Sequence, residues 1–477
     1  MNGKATKLAP RAGALLLIAN IAEALGPLVR SVALAHLLSP VDFGIAISIS
    51  AAWAFVNLVF DFGLDQSTVR MNDENDGRDV LGTIHSLAIV RGVVLALAFG
   101  AGGFLIADLV KSANAASTFT LLSLVFLIQG FNNLGVKRAA RNYAFAPQAI
   151  VTLVSQIAWT VGTLWVASSM GDYRCMLIGL YAASLTGVVA SHLLSPIRWR
   201  LKWSSNTARE VIRFGIPLVP NGAALAFNGL GDRFAVASLL GPAAVAVYSA
   251  TMAAAILPRG VVLRFLSSLV LPIFVNQYAE GVIQRWVYDR WSVLLCSVGS
   301  AYGLGFLAFG KPLLGTVFGA TYEPDQLFVS IIAVSICQKF LLQLPVPSAI
   351  AFGDSPFLLF VTGLSVGSVV LGIAGLLATK SLIGFVFAVV IGDFIALAIV
   401  IHRSLRKNNF NPSMVWMLSI GSLSILGVAA AAFGTFPDVA LTQRLMLFGT
   451  CFTLLSAGGF VLWFREYPLV TKMKHSE

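Results

Sequence analysis

The chain reads as an all-α polytopic membrane protein of about fourteen transmembrane helices: two six-helix lobes related by pseudo-two-fold symmetry, plus two extra C-terminal helices. Three observations carry this reading. Of the 477 residues, 57% are hydrophobic and 11% charged, with a mean hydropathy of +0.85, whereas a soluble domain carries about 25% charged residues. Apolar windows long enough to span a bilayer recur along the whole sequence. Finally, Ala33-Leu34-Ala35-His36-Leu37-Leu38-Ser39-Pro40 returns as Ala235-Val236-Ala237-Ser238-Leu239-Leu240-Gly241-Pro242, with five of eight positions identical, which marks an internal duplication.

Taken in order, the first window covers residues 13 to 37. Lys4, Lys7 and Arg11 before it and Ala22-Glu23-Ala24 within it resemble a cleavable leader. The apolar stretch continues to about Leu38, however, so it is expected to stay as the first span. Asn20, Glu23, Pro27 and Arg30 fall along one face of that helix and are expected to line a cleft. The second window, 43 to 62, carries Asn57, with Asp61 at its end; the third, 81 to 107, carries Arg91. Windows 115 to 134, 147 to 168 and 175 to 195 complete an N-terminal lobe, residues 1–204.

A second lobe, residues 205–405, starts with window 212 to 231. Asn221, Asn228 and Asp232 share one face there, offering hydrogen bonds to a polar cargo or to neighbouring helices. The unusually long window 243 to 273 contains Pro258, Arg259 and Arg264; a proline at that point frees a carbonyl and bends the helix. Windows 287 to 309, 326 to 345 (with Lys339), 357 to 378 and 381 to 401 (with Asp393) follow. Residues 406–477 hold the last two windows, 413 to 434 and 444 to 463, outside the repeat.

The residues with chemical content are the cations inside these windows: Arg30, Arg91, Arg259, Arg264 and Lys339. A guanidinium in hydrocarbon costs about 2.5–3.5 kcal/mol even on insertion scales, so such groups face a protein interior or a watery cavity. At about 1.5 Å per residue, Arg264 and Lys339 fall toward the cytoplasmic half, Arg91 and Arg259 near the middle and Arg30 in the outer half, a stepped cationic path for an anion. Lys339 and Arg91 also lie close enough to helix ends to snorkel. Glu23 and Asp393 are the deep carboxylates, suited to proton or ion coupling or, more simply, to neutralising an arginine.

Several function classes are excluded. The net charge of +11 is spread between apolar windows rather than gathered in a patch, so nucleic acid is not an expected partner. Neither the four cysteines nor the five histidines have ligand spacing, and no metal or cofactor is expected. No phosphate-binding loop is present, and no connection is long enough to hold a catalytic domain, so the chain is expected not to be an enzyme. With the N-terminus inside, cytoplasmic connections collect Lys137, Arg138, Arg141, Arg198, Arg200, Lys202 and many more, against only Lys111, Arg174, Arg233, Lys311, Lys380 and Arg444 opposite. That asymmetry places both termini in the cytoplasm.

Leu38-Ser39-Pro40-Val41-Asp42-Phe43-Gly44, Asp61-Phe62-Gly63-Leu64 with Val69-Arg70, and Phe214-Gly215-Ile216-Pro217-Leu218 together resemble the bacterial polysaccharide transporter family of lipid-linked oligosaccharide flippases. Its superfamily also holds the multidrug and toxin extrusion antiporters and the lipid II flippase. The resemblance implies a V-shaped pair of lobes in the inner membrane. By alternating access they would move an undecaprenyl-diphosphate-linked glycan outward for exopolysaccharide, O-antigen (lipopolysaccharide) or capsule synthesis. Membrane lipids, a polysaccharide polymerase and export machinery are the partners it implies. By analogy with lipid II flippases, arginines on the first, second and eighth helices would bind the diphosphate. Arg30 and Arg259 match by helix, whereas the second helix has Asn57 and no central arginine. A drug or cation antiporter is the nearest alternative and predicts an acidic cleft; a polysaccharide polymerase or ligase would need a large external loop.

Overall fold

The computed structural model describes residues 5–71, 80–142, 144–276, 278–279, 282–283 and 285–407, with short helical stretches between 419 and 429. The expected helices at 413 to 434 and 444 to 463 therefore lie outside the described residues, apart from those stretches. The fold is helical, as the sequence predicts; a two-residue antiparallel pair, Tyr278–Ala279 with Val282–Ile283, is the one β feature among the described residues.

The chain divides into two compact units, Met1–Ala250 and Thr251–Glu477. The first contains α1 (Ala5–Leu37), α2 (Pro40–Val59), a short α3 (Leu64–Arg70), α4 (Val80–Leu109), α5 (Ala116–Gln129), a one-turn α6 (Gly135–Arg138), α7 (Ala146–Met170) and α8 (Arg174–Leu194). It continues through α9 (Ser205–Gly215), α10 (Leu218–Ala226), a π-helical turn (Phe227–Gly231) and α11 (Asp232–Leu240). The division falls inside α12 (Pro242–Asn276). The second unit holds the rest of α12 with α13 (Arg285–Phe318), α14 (Gln326–Leu341), α15 (Val346–Ala351), α16 (Ser355–Thr379) and α17 (Leu382–Lys407).

Nine helices among the described residues are long and apolar enough to cross a membrane, and Ala113–Gln129 and Pro242–Ile256 add shorter apolar segments. Their outer faces remain apolar, with Leu97, Val161, Trp165 and Leu193 among the most exposed side chains. Such surfaces suit lipid and would be untenable in water. The chain is a multi-pass membrane protein.

Sequential helices pack as neighbours: α4 with α5, α7 with α8, α13 with α14 and α16 with α17, while α1 lies along α7. The repeated motif is a helix–break–helix junction in both copies. Its first copy ends α1 at Leu37 and starts α2 at Pro40, where Ser39 caps the helix by accepting from the Asp42 N–H at 3.1 Å. Its second copy ends α11 at Leu240 and starts α12 at Pro242. Proline in the first turn suits a helix start because its missing N–H would be unpaired there anyway. The two junctions touch, and a Cβ on Gly44 would sit only 1.9 Å from the Pro242 carbonyl oxygen.

The expected span 212 to 231 is not one helix. Its first residues finish the amphipathic α9, which buries Ala208 and Val211 in a cluster with Leu64, Leu81, Ile84, Leu87 and Leu134. Arg209, Glu210 and Arg213 stay outside, and Glu210 pairs with Arg70 at 3.0 Å. Pro217 then separates α9 from α10, and the π turn widens the helix before Asp232.

Candidate functional site

Arg30 is the most completely enclosed of the predicted cations with described side chains, at 3% exposure. It occupies the late part of α1, where that helix lies along α7. Its Nη1 donates to Gln156 Oε1 and Thr160 Oγ1, both at 3.1 Å, and its guanidinium carbon lies 3.8 Å from the Trp159 ring centroid. Trp159 in turn stands edge-on to Trp53, with centroids 5.0 Å apart. A Cβ on Gly26 would come within 3.1 Å of Gln156 Oε1 and 3.3 Å of Arg30 Nη1, so glycine leaves room for this arrangement one turn earlier on α1. Among the described residues no carboxylate forms an ion pair with Arg30. The cation is held by neutral dipoles and a π face, contacts worth about 0.5–2 kcal/mol each.

Beside Gln156 and Trp159 the first unit has a partly open chamber of about 360 Å³ with a mixed polar and apolar lining. One face of α7 supplies Gln148, Thr152, Ser155, Gln156 and Trp159 to its wall; Asn57, Asp61, Asp65, Arg91, Gln129 and Lys137 come from other elements. Arg91 donates through Nη2 to Asn57 Oδ1 at 3.1 Å, and its buried Nε has no hydrogen-bond partner. Lys137 pairs with Asp65. His85 beneath the chamber is structural. The Leu134 N–H donates to its Nε2 at 3.1 Å, so Nδ1 carries the proton and donates to the Arg200 carbonyl at 3.2 Å. This fastens the segment between α8 and α9 to α4.

The second unit gathers the other described cations. Lys339 on α14 pairs with Asp393 on α17 at 3.0 Å, and Ser335 Oγ donates to the same Asp393 oxygen at 3.4 Å. Asp393 is fully buried, and its second oxygen lacks a partner. Arg259 on α12 lies within electrostatic reach of both Asp393 and Tyr302, with its Nε buried and unpartnered. Tyr302 donates back to the Ala255 carbonyl at 3.2 Å. Two cations thus share one carboxylate. The Arg264 side chain lies outside the described residues.

The remaining candidates are more scattered. Asn20, Glu23 and Pro27 are exposed on α1, while Arg30 alone of that stripe is buried. Asn228 sits in the π turn, which shifts Asp232 away from the straight-helix register expected relative to Asn221. Asp232 accepts from the Tyr248 hydroxyl at 2.6 Å, a bond inside the first unit. The sequence reading missed Gln156, Thr160 and Trp159 as Arg30's partners. Their signal was present all the same, as polar and aromatic residues recurring at helical spacing on one face of the apolar α7.

Comparison with known proteins follows the same lines. The family model described as "Polysaccharide biosynthesis protein" matches residues 33–326, more than half of the chain. No curated protein matches in sequence. Among solved structures, lipid II flippase MurJ in an inward closed conformation superposes with a TM-score of 0.70 at 13% identity, covering 95% of this chain and 99% of that one. An inward-facing multidrug resistance MATE family transporter of the MOP superfamily gives 0.59 at 13% identity, covering 85% and 95%. A MOP superfamily transporter from Pyrococcus furiosus, noted for the reverse polarity of its binding pocket, gives 0.50 at 13% identity, covering 86% and 96%. These superpositions establish the fold as the one those transporters share, and with the family match they show that the chain belongs to the polysaccharide biosynthesis protein family.

Proposed function

We propose that this protein is a flippase that carries a polyprenyl-diphosphate-linked oligosaccharide across the bacterial cytoplasmic membrane by alternating access, with both termini in the cytoplasm. The observation that carries the reading is Arg30, a cation buried in an apolar bundle on neutral partners alone. A structural arginine at such depth normally comes with a carboxylate, because an unpaired buried charge costs several kcal/mol. An arginine without one is left ready for an anion that visits. Arg259 is the corresponding group in the second unit: it shares Asp393 with Lys339, so two cations face one carboxylate, and its Nε is unpartnered.

In this reading the guanidinium groups act as successive, moderate anion sites. A diphosphate stripped of water needs compensating cations along its route, yet one very tight site would hold it there. The prenyl chain stays in lipid while the glycan passes through polar surroundings. Of the two deep carboxylates, Glu23 is the one left available for ion coupling, since Asp393 is paired with Lys339. A polymerase and export machinery would take the product on toward exopolysaccharide, O-antigen or capsule. A cation antiporter fits less well, because the buried carboxylate Asp393 already has Lys339 as its counter-ion.

The test is transport of a fluorescent lipid-linked glycan in vesicles containing the purified chain. Arg30→Ala and Arg259→Ala are each expected to lower transport at least about tenfold, the equivalent of one charge-assisted hydrogen bond. Both should still insert and elute as folded protein. Transport at the parental rate by both variants would remove the proposed role of these arginines.

A further inference from the structure

Two cavities of the first unit share a wall. Besides the chamber there is an apolar groove of about 380 Å³, and Leu64, Arg91 and Leu95 line both. The groove runs along α4 past Val90, Val94 and Ala98 to Phe99 and is closed by Phe60, Phe62 and Ile212; Arg91 is its one charged lining residue. The turn after α2 divides its side chains between the cavities, with Phe60 and Phe62 in the groove and Asp61 in the chamber. At this turn Phe62 has a φ of +51°, a left-handed conformation that a bulky side chain rarely takes and that the surrounding structure must enforce.

The charges of the chamber sort themselves. Lys137 and Asp65 neutralise each other. Arg91 and Asp61 remain without an ion-pair partner among the described residues: Arg91 donates to neutral Asn57, and Asp61 accepts a long 3.5 Å bond from Gln66. One positive and one negative group therefore face the same space, within electrostatic reach of each other. Their depth is informative too. The 20 residues of α2 span about 30 Å, the thickness of the hydrocarbon core. Asn57 lies in its last turn, and Arg91 on α4 reaches it, which brings that guanidinium toward the headgroup end of the span rather than near the middle as its sequence position suggests. Val90 and Val94, 49% and 57% exposed, open the groove sideways to the bilayer.

We propose that the first unit holds one bilayer phospholipid with a zwitterionic, primary-ammonium headgroup: its phosphate on Arg91, its ammonium on Asp61 and an acyl chain in the groove. Charge complementarity selects this occupant. An anionic glycerol headgroup would offer Asp61 hydroxyl donors but no positive charge, leaving the carboxylate without a counter-ion. A free phosphate would leave the groove unfilled, and a choline ammonium has no N–H to donate. A lipid diphosphate would bring still more negative charge to Asp61, so this site is independent of the roles proposed for Arg30 and Arg259.

The experiment uses the full chain, delipidated in detergent and titrated with phosphatidylethanolamine, phosphatidylcholine and phosphatidylglycerol, with bound lipid read by native mass spectrometry. Phosphatidylethanolamine is expected to bind about tenfold or more tightly than phosphatidylglycerol, the weight of one charge-assisted hydrogen bond. Asp61→Asn should erase that preference while lipid binding persists, and Arg91→Gln should weaken all three lipids. Ala98→Trp, at an exposed position in the groove, should weaken all three without touching the polar groups, so the proposal stays testable even if Arg91→Gln fails to fold. Equal or tighter binding of phosphatidylglycerol by the parent chain would overturn the proposal, as would lipid retention unchanged by Ala98→Trp. Glycan-lipid transport is measured separately, so failure of one reading leaves the other standing.

Discussion

A guanidinium held by Gln156, Thr160 and Trp159 keeps its full charge, because amide, hydroxyl and π-face contacts lend hydrogen bonds and attraction without adding a negative group. Arg30 and Lys339 therefore differ in kind. Lys339 is balanced by Asp393, and breaking that pair with Asp393→Asn is expected to destabilise the detergent-solubilised chain by about 3 kcal/mol. This is the low end for a buried pair, since Lys339 is 28% exposed and can reach toward solvent. Replacing both partners together, Lys339→Met with Asp393→Leu, should recover only part of the loss, because Arg259 then loses the carboxylate it shares with Lys339. Thermal unfolding followed by tryptophan fluorescence checks both. At Arg30, Gln156→Leu should cost about 1–3 kcal/mol by leaving the guanidinium under-bonded. Loss of transport without loss of stability in that variant would instead place Gln156 on the cargo's path.

At the scale of elements, the contact between the two repeated junctions makes a sharp demand. Gly44→Ala puts a methyl 1.9 Å from the Pro242 oxygen, and the junctions must part to admit it, at about 1–3 kcal/mol. Gly102→Ala on α4 meets nothing within 4 Å and should be neutral or stabilising by up to about 1 kcal/mol through helix propensity. The same melting measurement separates the two. The long apolar helices were legible in the sequence because hydrocarbon thickness imposes a length that a window detects. α9 to α11 were not, for two reasons. The polar, amphipathic α9 is invisible to a search for apolar runs, and a π turn changes hydrogen-bond spacing without changing hydropathy. Arg30 could be singled out from sequence as an expensive residue. The polar face of α7 could also be read, but not its pairing with Arg30, because Gln156 and Thr160 are 126 and 130 positions away and carry no charge to announce a partner.

For the whole molecule, the duplication and family resemblance read from short motifs agree with a fold shared with lipid and drug transporters, while the cargo must still be argued from buried charge. The neutral cage around Arg30 has an electrical consequence. On the proposed alternating cycle, the empty carrier keeps the charge of Arg30 and the excess of Arg259 and Lys339 over Asp393, about two positive charges in all, which the two negative charges of a diphosphate diester cancel. A charge crossing the whole field gains about 2.3 kcal/mol per 100 mV, so the empty return toward a negative interior is the step the membrane potential accelerates. Vesicles clamped inside-negative should therefore turn over faster than depolarised ones, and Arg30→Gln should flatten that voltage dependence. A transporter built this way would draw on the cell's resting potential through its unloaded state, with its own arginine as the gating charge.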